Sequence, residues 1–153
     1  MNTIEHFQEL FIYNDWANRK IIESLAKNSS EKALDILAHL LVTEKEYFER
    51  LFDKDSTGFD FWQKLNLEDC EKLINEISEK YKRVLESRTE ADLNSTANYK
   101  TSEGVAYTNT LRELLTHVLL HSSIHRGNII VKLREEGYVP PKIDYVIHLR
   151  EIQ

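Results

Sequence analysis

With a single cysteine in 153 residues, no intrachain disulfide can staple this chain. Cys70 stands between Asp69 and Glu71, whose charges disfavour the thiolate, so it reads as a structural residue rather than a nucleophile. No stretch approaches the roughly 18 uninterrupted apolar residues of a membrane span. Met1 to Leu10 carries Glu5 and Glu9 and no continuous apolar segment, so a signal peptide is not expected either. An excess of positive charge is missing too. The 20 Lys and Arg are outnumbered by 26 Asp and Glu, for a net charge of −6, and are interleaved with them. A nucleic-acid partner would need basic side chains gathered on one face. Glycine-rich phosphate loops, a GxSxG elbow, internal repeats and low-complexity tracts are absent as well. The expectation is a cytoplasmic protein with neither nucleic acid nor membrane as partner.

Glycine and proline are scarce, at four and two. Leu, Glu, Lys and Ile are abundant, and strand-like alternation is rare, so the fold expected is all-α. The length suits one domain, residues 1–153, around one core. Apolar residues at helical spacing mark four long helices. The first runs from about Thr3, as N-cap, to Lys27, with Phe7, Phe11, Asn14, Ala17, Ile21 and Leu25 on its inner stripe. Asn14, Asp15 and Asn18 interrupt that helix, and hydrogen bonding to neighbouring helices or solvent is the reading that fits amides there. Asn28-Ser29-Ser30 makes the turn into a second helix, from about Glu31 to Phe52, with Leu37, Leu40, Leu41, Phe48 and Leu51 inward. Phe59, Phe61 and Trp62 sit in a loop that either covers a site or packs on a partner subunit, packing being favoured. Asn66 caps a third helix ending near Arg88. Thr89 to Asn109 is the long connection to the fourth helix and holds a hairpin pattern around Ser102-Glu-Gly104. Lys142 to Gln153 forms a final turn or short helix, in which His148 is a surface or packing residue.

The fourth helix, Leu111 to Glu136, carries the chemistry. Thr110 with Glu113 forms a capping box, and Gly137 with Pro140 and Pro141 marks the stop. Leu111, Leu115, Val118, Ser122, Ile129 and Leu133 make the inner stripe. Beside it lie His117, His121 and His125, three of the chain's six histidines, at steps of four. One inward histidine is ordinarily a hydrogen-bonded core residue. Three within nine residues are costly to bury without partners, and a shared cation satisfies their lone pairs. Two adjacent members of the row, about 40° apart in azimuth, can meet one ion, whereas His117 and His125 diverge by roughly twice that. Geometry leaves both adjacent pairs open. His39, the only histidine of the second helix and set among aliphatic residues, supplies a third ligand if the second and fourth helices are neighbours. Glu44 is five residues from His39, turned about 140° away from it, so no general base is evident.

Tyr13-Asn14 with Trp16-Ala17-Asn18, His39-Leu-Leu with Glu44, His121-x-x-x-His125-Arg-Gly, and the closing Gly137, Pro140, Asp144-Tyr145 and Leu149-Arg150-Glu151 together resemble the DinB family, the DinB/YfiT-like group of proposed metalloenzymes. The resemblance covers nearly the whole chain. It implies a four-helix bundle with a long connection between helices three and four, often a homodimer, binding a divalent metal through His39, His121 and His125. His117 matches no ligand position. Asn128 stands where the family pattern has Gln, which leaves the triad intact and the role of that amide open. Three imidazoles suit zinc or nickel, with remaining positions left to water or substrate. The function implied is a metal-dependent enzyme of small molecules, a thiol-dependent transferase or a hydrolase, with a low-molecular-weight thiol as a candidate substrate. The alternative is a non-enzymatic dimeric binding or scaffold bundle with a structural metal or none. A site closed by four protein ligands would favour the latter.

Overall fold

A computed structural model describes all 153 residues. Five helices and one antiparallel hairpin follow in the order α1 Thr3–Lys27, α2 Glu31–Arg50, α3 Leu67–Ser87, a 3-10 turn Ala91–Asn94, β1 Thr96–Lys100, β2 Ala106–Thr110, α4 Leu111–Glu135 and α5 Tyr145–Glu151. The all-α expectation therefore needs a correction: the connection after α3 contains two paired strands, in register from Thr96 opposite Thr110 to Lys100 opposite Ala106. The hairpin read around Ser102–Gly104 is these strands. Gly104, at φ +81°, supplies the left-handed turn that an ordinary side chain resists.

Helix ends follow local chemistry. Asn2, rather than Thr3, caps α1. Its side chain accepts from the Glu5 amide while Glu5 returns a bond to the Asn2 amide, so the cap is a full box one residue earlier than expected. Ser30 caps α2, and Asn66 with Asp69 boxes α3. α2 stops at Arg50, short of Phe52, and Asp53 just beyond it has φ +61°. α4 ends in a Schellman motif: the Tyr138 amide donates to the Leu133 carbonyl and the Gly137 amide to that of Arg134, with Gly137 at φ +85°.

The apolar stripes meet in one cluster of 26 buried residues. α1 packs on α3 and α4, and α2 packs on α4 and α3, so the long helices lie in the cyclic order α1–α3–α2–α4. The stripe read on α4, from Leu111 to Leu133, is buried throughout. α5 lies on α1, where Tyr13 donates to the Ile143 carbonyl at 2.7 Å and the Trp16 indole donates to Glu151 at 3.0 Å. His148 is a packing residue, buried against the rings of Tyr13 and Trp16. No helix is long and apolar enough to cross a membrane. For the site, the decisive arrangement is that α2 and α4 are neighbours.

Candidate metal centre

α4 carries its three histidines along one edge, and α2 brings His39 across to them. The candidate ligand nitrogens of His39, His121 and His125 all lie within 4.8 Å of one another. A tetrahedral ion holding nitrogens at about 2.0–2.1 Å would set them roughly 3.4 Å apart, so modest side-chain movement closes the three on one ion. His117 falls outside this group. Its ring stacks on Tyr47 at 4.5 Å, and its centroid is 5.5 Å from that of His121.

The loop between α2 and α3 orients the first of these rings. His39 Nδ1 is 2.8 Å from the Phe61 carbonyl oxygen. A carbonyl only accepts, so Nδ1 carries the proton and Nε2 keeps its lone pair, the tautomer a ligand needs. Trp62 stacks flat on the same imidazole, 3.8 Å between centroids and 4° between planes, and stands edge-on to His125. This loop thus covers the histidines. Asn128 approaches His125 Nδ1 at 3.4 Å, a long and weak contact, which is the place the structure gives to the departure from the family pattern.

Electrostatics favour neutral rings. Burial, followed by the neighbouring His125, His39 and His117, pushes His121 down to about 3. Burial lowers His39, against a raising bond from Phe61, and lowers His125, with His39 adding to it. Neutral imidazoles offer lone pairs at neutral pH. His121 also holds a buried Nδ1 with no hydrogen-bond partner. A cluster of uncharged imidazoles, one of them short of a partner, fits a divalent cation and could hold one.

Behind the histidines lies a polar network that the sequence reading did not assemble. Glu44 Oε1 accepts from Asn14 Nδ2 at 2.8 Å, Asn18 Nδ2 at 3.0 Å and Ser122 Oγ at 2.6 Å. Arg126 Nη1 donates to Asn14 Oδ1 at 2.5 Å and to Asn18 Oδ1 at 2.8 Å. All five residues are buried. Burial pushes Glu44 above the ordinary carboxylate range, opposed by its three donors and by Arg126. The amides of α1 therefore bond to neighbouring helices, as read from their placement, while Asp15 pairs outward with Arg19. Signals were present: Asn14 inside the α1 stripe with Asn18 one turn on, and Ser122 inside that of α4.

The DinB family model matches residues 1–152. The chain is similar to Protein DinB of Bacillus subtilis (strain 168), at 27% identity over 160 aligned positions that cover 92% of each protein. With the helical order, the histidine group and a match over almost every residue in agreement, the chain belongs to the DinB family.

Proposed function

We propose that this protein is a metal-dependent enzyme of small molecules, in which His39, His121 and His125 hold one divalent cation, zinc or nickel foremost. The carrying observation is that three neutral imidazoles converge while no carboxylate or thiol joins them as a fourth ligand. A bound ion of this kind lowers the pKa of water or thiol and polarises a substrate oxygen. The protein's part is to hold the rings in order: the Phe61 carbonyl fixes the tautomer of His39, and Trp62 shields its face. With no carboxylate or thiol among the triad, the substrate class that suits best is one whose nucleophile the ion itself activates, a low-molecular-weight thiol in a transferase or water in a hydrolase.

The helices, in cyclic order, are read as the four-helix bundle of this family, and the protein as cytoplasmic. The same reading includes a homodimer. Leu120, Ile124 and Val131 leave an exposed apolar stripe on the outer face of α4, which a second copy would cover.

Elemental analysis after purification with zinc or nickel tests the core of the proposal. One ion per chain is expected, lost in His121→Ala and retained in His117→Ala. The loaded protein is then screened for thiol transfer and ester hydrolysis. Stoichiometric metal in His121→Ala would refute the triad; metal without any turnover would favour the scaffold alternative. Sedimentation showing only a monomer at micromolar concentration would remove the dimer.

A further inference from the structure

On the side of α4 turned away from the histidines lies a cavity of about 740 Å³. Its walls come from α4, through Ser123, Arg126, Ile130 and Arg134, and from the irregular stretch 138–144. That stretch is pinned at both ends. The Tyr138 hydroxyl donates to the Ser29 carbonyl at 2.9 Å, and Tyr13, itself in the wall, donates to that of Ile143. The space is therefore framed by the fold and not by a free tail.

Its charge runs against that of the chain. Arg126, Arg134 and Lys142 line it, with Asp144 as the one acid, in a protein of net charge −6. Arg134, Lys142 and Asp144 take part in no ion pair. Arg126 is the telling residue. It is 1% exposed, both its hydrogen bonds leave from Nη1 toward Asn14 and Asn18, and its Nε–H is buried without an acceptor. A buried arginine in the wall of a cavity, its hydrogen-bonding capacity only partly used, together with two cations that form no ion pair, has the makings of an oxyanion site.

We propose that this cavity binds a small organic oxyanion, a carboxylate or a phosphate monoester. The anion sits beside the Arg126 guanidinium in the cavity wall, Arg134 and Lys142 neutralise the charge, and the organic part rests on Ile130, Val139 and Pro140. The site is separate from the histidine group, so the proposal stands or falls independently of the metal reading.

The test uses the full chain, freed of metal by chelator, at fixed ionic strength. Inorganic phosphate and butyrate are each titrated while the arginine Nε–H resonances are followed by NMR. Saturable shifts of the Arg126 signal at millimolar probe or below are expected. Tighter phosphate points to a phosphate monoester and tighter butyrate to a carboxylate. The exposed double variant Arg134→Gln, Lys142→Gln should weaken binding at least tenfold while its circular dichroism is unchanged. His125→Ala should bind as the parent does. The proposal is overturned if neither probe shifts Arg126 more than sodium chloride does, or if the double variant binds equally well.

Discussion

Arg126 is among the largest side chains shut from solvent, and it carries a full charge. Only Glu44 and the two amide oxygens it touches make that position tolerable, and removing one member of such a set strands the others. Arg126→Ala should cost about 3–5 kcal/mol in denaturant unfolding, the range for an uncompensated buried charge. Glu44→Gln, which keeps an acceptor where three donors converge, should cost visibly less; equal losses would mean that charge, and not hydrogen bonding, governs the network. Cys70 gives a second test. Burial, then Asp69 and Glu71, push its thiol up to about 11 from an ordinary value of 9.0. The folded state therefore keeps a proton that the unfolded state releases, and stability should fall as pH rises from 9 toward 11. Cys70→Ala should remove one proton's worth of that slope, measured as the difference between the two proteins. An unchanged slope would show that Cys70 titrates alike in both states.

The smallest helix is the separable element. α5 spans Tyr145–Glu151, has no side-chain cap, and holds to α1 through the rings of Tyr13, Trp16 and His148 and the Trp16 bond to Glu151. Deleting residues 145–153 should leave the helical signal of the remaining chain in place, while shifting Trp16 fluorescence to the red as the indole meets water. Collapse of the whole fold would instead assign α5 to the folding core. Among the longer elements, periodicity and caps made much legible beforehand: the inward stripes of α1 and α4, the turn Asn28-Ser29-Ser30 that holds the α2 cap, the Asn66 cap, the α4 box, and the hairpin inside the connection. Those features are local, each set by residues within a turn or two. What could not be read locally was the partner of each buried polar group. Glu44, turned away from His39 along α2, finds its role through Asn14, Asn18 and Ser122 on two other helices. Likewise the histidine row left two pairs open until α2 brought His39 to one of them.

Taken whole, the molecule should not need an ion to fold. A cluster of 26 buried apolar residues, most of them on the four long helices, is far beyond the small cores that depend on metal for folding. If the proposed metal reading holds, chelation should abolish activity or ligand binding, leave helical circular dichroism nearly unchanged, and destabilise the fold only by the linkage of a lost ligand, about 2.7 kcal/mol at a hundredfold excess over Kd. Unfolding by chelator at room temperature would make the ion structural. One contact has an evolutionary side. The acceptor that orients His39 is the main-chain oxygen of residue 61, which nearly any amino acid supplies equally well. Outside Trp62, the covering loop can thus diversify its side chains without turning the ring it steadies. A library randomised at Phe59 and Phe61 would vary the face of the loop while the main-chain contact to His39 persists, whereas a change at Trp62 also removes the ring stacked on that imidazole.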